Sequence, residues 1–429
     1  MAEIGTAPLQ SSESVETNGA ADVVIAIPTY QNRETIRAVA EASLDGLLGA
    51  LRPLRVALVN ADGGSKDGTP DLLRETVGER VHLVQTEYPL YPVYRMSPSM
   101  PGVPGKREAI ATTFAIARKM GARACAVLDA ALESATPEWV ERLSRPVLER
   151  GADLVTPHYL RTRFDGLINS SIVYPFTRAL YGKRVRQPMA TDLGFSAALM
   201  DYYLSLPNSN GASSLINDPW GSIPALCGGF QVWQASLGRR SVAHQDGSAD
   251  LSDTLAAILG QIFEQMDRTA GIWQKVRGST DTEWFGAVLP VADGDDPFPA
   301  ETLTSMIESF RLGCRDLHDL WSMLLPPASL LELRKMSGRP VEQFAFRDDV
   351  WARTIYDFAL GYHLRSIGRD HLLRAITPLY LGWVASFVRE MHAESASIVE
   401  QRLEGIAMVF EAEKRYLISR WRWPDRFSP

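Results

Sequence analysis

Two side chains of this 429-residue chain have the types and settings to handle a charged, phosphorylated ligand. Asp129 follows the apolar run "ACAVL" (124–128) in "LDAALES", so a strand delivers a carboxylate to a loop where it could hold a divalent cation. Lys106 follows Gly105 in "PGKREA" and opens a helical pattern, where unpaired backbone N–H groups and an ammonium together favour a diphosphate. Its spacing is not that of a nucleotide P-loop, so a plain helix start with a solvated lysine fits it too. Two further loops are polar and turn-forming: "IPTYQNRETI" (27–36) and "NADGGSKDGT" (60–69). In the second, Gly63, Gly64 and Gly68 permit tight turns, and Asp62 could accept hydrogen bonds from a base or ribose. Either loop taken alone also reads as ordinary turn chemistry.

Buried strands must position these loops. "VVIAI" (23–27), "RVALV" (55–59), "VHLVQ" (81–85) and "ACAVL" are nearly continuous apolar runs, as strands covered on both faces are. Helical patterns at 34–51 and 106–121 lie between them. The alternation predicts an α/β fold with an open, mostly parallel sheet, whose ligands bind beyond the carboxyl ends of its strands. After "DGDDPFP" (293–299) the chain becomes helical and rich in Trp and Leu. Val399, Leu403, Ile406, Phe410 and Leu417 recur on one helix face. The expected organisation is a lead segment over 1–20 without fixed structure, an α/β domain over 21–295 and a helical region over 296–429.

Net charge of −7 argues against nucleic acid or an anionic membrane as partner. The most apolar late run, 379–388, is too short to span a bilayer, the first 20 residues lack a signal-peptide pattern, and three scattered cysteines fit reduced thiols. The expectation is a cytoplasmic protein.

Taken in chain order, the four loops resemble the nucleotide-sugar domain of GT-A (Rossmann-like) glycosyltransferases. The pattern is most similar to the retaining enzymes typified by glucosyl-3-phosphoglycerate synthase and mannosylglycerate synthase. "PTYQNRETI", "DGGSKDGT", "PGKREA" and "LDAALES" carry the likeness, joined by "RQPMATDLGF" (186–195), "NDPWGS" (217–222) and "VAHQDG" (242–247). The resemblance spans about 21–255. It implies transfer of a hexose from UDP-glucose, GDP-mannose or a similar donor to glycerate or another small hydroxy acid, with Mg²⁺ or Mn²⁺; a homo-oligomer is compatible with it. Pro28, Tyr30, Glu34, Asp62 and Gly64 would hold the nucleobase end, Gly105 and Lys106 the diphosphate, and Asp129 and Ala130 the ribose or metal shell. Asp129, position 131 and His244 would bind the cation. Asp218 and Asp192 would be the catalytic carboxylates, while Arg161, Arg163 and Asn169 would receive the acceptor.

Two departures stand out. Ala131 occupies the place of the family's second aspartate, as a single replacement in an otherwise intact loop would leave it, so an impaired enzyme or a nucleotide-sugar-binding scaffold without turnover is an alternative. Gly166-Leu167-Ile168-Asn169 stands where the phosphoglycerate enzymes carry an arginine, which favours an unphosphorylated acceptor. The basic run 182–188 reads as a solvated turn or a second source of phosphate contacts.

Overall fold

The computed structural model describes residues 19–90, 105–206, 221–243, 250–288, 290, 292, 294 and 298–423. The expected strands form as β1 (Val23–Ala26), β2 (Val56–Asp62), β3 (His82–Glu87) and β4 (Ala124–Val127). They are joined by β5 (Leu154–Leu160), β6 (Leu193–Ser196), β7 (Val232–Arg239) and β8 (Glu283–Phe285). The eight lie in one sheet, ordered β3-β2-β1-β4-β6-β5-β7-β8. Only β6 runs against its neighbours. The α/β class with a mostly parallel sheet is therefore observed.

Both faces are covered over β1, β2 and β4, which are almost wholly buried, whereas β3 at the sheet edge buries only Val84. Ile36, Leu44, Trp139 and Leu143 fill one side of the sheet. Phe114, Phe195 and Leu199 fill the other. From β1 the chain crosses left to β2 and later right to β4, so a crevice opens between the carboxyl ends of β1 and β4. The loops containing Pro28 and Asp129 lie there.

The helical C-terminal region is also as expected. Val399, Leu403, Ile406, Phe410 and Leu417 are all buried, on the helix Ala396–Arg422. Its core does not begin at 295: Phe164, Phe176 and Phe263 belong to the same apolar cluster as Trp351 and Trp383. Buried Arg178, on the helix Tyr174–Tyr181, ties this seam by ion pairs to Glu404 and Glu411. No helix among the described residues is long and apolar enough to cross a membrane.

Candidate functional site

The first two loops are ordered by each other. Gln31 N–H donates to Ser65 Oγ at 2.8 Å, Asn32 N–H to Thr69 Oγ1 at 3.0 Å, and Arg33 N–H to Asp67 Oδ2 at 3.0 Å. Asp62 is the hub. Its carboxylate accepts four hydrogen bonds, from Thr29 Oγ1 (2.6 Å), Gly64 N (2.8 Å), Ser65 N (2.6 Å) and Ser65 Oγ (2.7 Å). Those fill the usual capacity of a carboxylate, so Asp62 could touch a base only by releasing one of them. Gly64 has φ +83°, a left-handed conformation that suits glycine. Pro28 is buried, Tyr30 half-buried and Glu34 exposed at this edge.

The Asp129 loop is fastened to the first loop by Thr35, whose hydroxyl donates to the Ala130 carbonyl at 2.6 Å. Both groups are buried. Thr35→Val keeps the side-chain shape but leaves that carbonyl without its donor. It should cost about 1–3 kcal/mol in urea denaturation, the usual penalty for a stranded buried polar group. Unchanged stability would show that the two loops are not coupled through this bond.

Behind Ala130 lies a buried ionic cluster. Asp192 is fully buried and accepts from Asp129 N (2.9 Å), Tyr159 Oη (2.5 Å), Thr191 Oγ1 (3.1 Å) and Arg240 Nε (3.1 Å). Arg240 Nη2 also donates to Asp129 Oδ2 at 2.7 Å and Thr191 Oγ1 at 3.0 Å. Burial, then the neighbouring Asp192 charge, pushes the Asp129 carboxyl above the usual carboxylate range, while Arg240 and Lys106 oppose the shift. Burial and the Asp192 charge likewise hold the Tyr159 phenol well above its ordinary value, so it stays protonated and donating.

Over this cluster opens a cavity of about 280 Å³, lined among others by Lys106, Tyr159, Arg161, Asn169, Thr191 and Arg240. Lys106 begins the helix Lys106–Lys119, with Gly105 (φ 66°) as its left-handed cap. Arg161 donates to neutral oxygens, Gly166 O at 3.2 Å and Gln187 Oε1 at 2.8 Å. Any side chain at Gly166 would collide with it, since a Cβ there would lie 1.6 Å from Arg161 Nη1. Asn169 Nδ2 donates to Arg186 O at 2.9 Å. Arg163 is directed elsewhere: its guanidinium caps the carbonyls of His392 (3.2 Å) and Glu394 (2.8 Å). It lines a smaller neighbouring cavity with His158, Arg161 and Arg186. Burial and the two flanking arginines lower the His158 pKa to about 4, so the imidazole is neutral.

Sequence reasoning passed over Arg240 and His158, and met Arg186 only as part of the basic run. Arg186 comes from the basic run but turns inward, over the Tyr174 ring at 4.6 Å and onto Glu400. Arg240 has a weak signal, an arginine directly after a strand on the ligand edge of the sheet. Asp218 and His244 lie outside the described residues.

For a divalent cation the described residues provide little. The Ala131 side chain has no ligand atom, and Asp129 is already ion-paired with Arg240. Ala131 O accepts from Ala243 N at 2.9 Å, and Leu132 bridges Val242, so three apolar side chains flank the position. Among the described residues no group of three or more His, Cys, Asp or Glu could hold a metal ion.

No protein-family model and no curated protein matches the chain. Its fold is similar to solved structures of glucosyl-3-phosphoglycerate synthase from Mycobacterium tuberculosis. The complex with Mn²⁺, UDP and glucosyl-3-phosphoglycerate is 20% identical, with a TM-score of 0.40 over 57% of this chain and 80% of that one. The phosphoglyceric acid complex is 22% identical, with a TM-score of 0.41 over 58% and 80%. A structure described only as a mycobacterial protein is 20% identical, with a TM-score of 0.40 over 58% and 75%. The synthase was also solved with Mg²⁺ and UDP. Likeness at this level assigns no residue a role; the fold described above rests on the strand order itself.

Proposed function

We propose that the chain is a GT-A-type glycosyltransferase that moves a hexose from a UDP- or GDP-sugar to glycerate or a similar small hydroxy acid. One observation carries the reading: Lys106, Arg240 and Arg161 converge on a single cavity at the carboxyl edge of the sheet. Three cations beside a helix start favour a diphosphate, whose developing charge is the main thing such a transfer must stabilise. On this reading the loops around Pro28, Tyr30 and Asp62, at the same edge of the sheet, would hold the base. Arg161, which among the described residues hydrogen-bonds no carboxylate although Asp165 lies near it in the cavity, offers its charge to the acceptor's carboxylate, and Asn169 lines the same cavity. Leu167 is buried and brings no phosphate partner, so glycerate is preferred to its phosphate ester. Asp192 acts by holding Arg240 and Tyr159, not by touching reactants. Mg²⁺ or Mn²⁺, where it accompanies the donor, would be held largely by the diphosphate, since this chain offers it Asp129 and, outside the described residues, His244.

The test is released nucleotide, measured against time with UDP- and GDP-hexoses and each acceptor. Lys106→Ala should weaken UDP or GDP binding by about 1.5–3 kcal/mol, the range for charge-assisted hydrogen bonds. Unchanged affinity would remove Lys106 from the site. The second reading, a scaffold that binds nucleotide sugar without turnover, is favoured by the apolar residues at 131, 242 and 243. It predicts binding with no nucleotide release.

A further inference from the structure

We infer that Arg240 is itself a ligand of the donor's diphosphate and, with Lys106, supplies fixed positive charge where Ala131 withholds a cation's carboxylate. The inference rests on the proposed reading of the cavity as a nucleotide-sugar site. Three observations support it. First, Arg240 is locked from behind: Nε and Nη2 are committed to Asp192, Asp129 and Thr191, which fixes the plane of the guanidinium. Second, Nη1 makes no hydrogen bond among the described residues, and Arg240 lines the cavity together with Lys106. The guanidinium therefore keeps part of its donor fork for an incoming anion, and phosphate oxygens match that fork. Third, the charge arithmetic is local. Asp129 and Asp192 bring two negative charges next to the diphosphate; Arg240, ion-paired with both, offsets one of them, and the nearby Lys106 ammonium offsets the other. A divalent cation would compete for Asp129, whose Oδ2 is on Arg240 and whose Oδ1 accepts from Ala131 N, and would find no second carboxylate at Ala131.

A fixed guanidinium cannot be removed by a chelator. Calorimetry on the full chain with UDP and with GDP, in EDTA and in Mn²⁺, gives the first comparison. Affinity in EDTA within tenfold of that in Mn²⁺ is expected; a larger loss overturns the inference while leaving the nucleotide-site reading intact. Absence of binding in both conditions sinks that reading itself. The second comparison is Arg240→Lys, which keeps a charge against Asp129 and Asp192 but loses the planar fork. In EDTA it should bind the better nucleotide at least fivefold more weakly, with its melting transition preserved. Wild-type affinity in that variant overturns the inference. Where the variant does not fold, the wild-type EDTA comparison decides alone.

Discussion

Asp192→Ala should lower folding stability by about 3–5 kcal/mol and abolish nucleotide binding, although Asp192 does not line the cavity. The magnitude is that of removing one partner from a buried ion pair. Asp192 is fully buried, and its loss strands several groups at once. Arg240 keeps only Asp129 as counter-ion, the Tyr159 hydroxyl loses its acceptor at 2.5 Å, and the Asp129 N–H loses its acceptor at 2.9 Å. The Asp129 loop and the Arg240 guanidinium then have no common anchor, so binding fails with the fold's local order. Asp192→Asn separates charge from shape. It retains an oxygen for one donor but brings an amide towards a cation, and should fall between wild type and alanine. Urea denaturation at neutral pH gives the comparison. A loss below about 1 kcal/mol for Asp192→Ala would mean the cluster is solvated enough to be dispensable.

The sheet up to β4 was legible because β1, β2 and β4 are buried on both faces and so read as nearly unbroken apolar runs, while the edge strand β3 shows only the short Leu83–Val84 signal. The remaining half was not, since β5 carries His158 and β7 carries Gln234 and Ser236, which break the apolar runs, and the burial of Gln234 depends on partners far away in sequence. Gln234 bonds Arg186 N at 2.7 Å and Thr282 Oγ1 at 2.6 Å. The loop motifs pointed to the right edge of the sheet but not to their internal chemistry. Asp62 reads as an open acceptor, whereas the fold spends its lone pairs on Thr29, Gly64 and Ser65. Arg240 could not be found by spacing at all. It lies 111 residues from Asp129 and 48 from Asp192, and only the β7 crossover brings it to them.

On the proposed reading of the site, Ala131→Asp is expected to make nucleotide binding depend strongly on divalent cations. The backbone at 131 is held at both polar groups: its N–H donates to Asp129 Oδ1 at 3.0 Å and its carbonyl accepts from Ala243 N at 2.9 Å. A new carboxylate would therefore be added beside Asp129 without a change of loop conformation. It would bring a further negative charge to Asp129 and Asp192, with Arg240 alone between them. Without metal the nucleotide's diphosphate should then be repelled, and UDP or GDP affinity should fall several-fold below wild type. With Mn²⁺ two neighbouring carboxylates and the diphosphate oxygens could share one ion, and affinity should recover by about tenfold or more, as ligand charge count sets the strength of such sites. If the chain is a transferase, nucleotide release by the variant should become strongly Mn²⁺-dependent, since a bound cation stabilises leaving-group charge in the transition state. The ratio of Mn²⁺ to EDTA affinity, measured for both proteins, is the deciding quantity. Equal ratios would mean that position 131 does not face the diphosphate. A changed ratio with no nucleotide release from either protein, across UDP- and GDP-hexoses and with both acceptors, would keep the binding site and favour the scaffold over the enzyme.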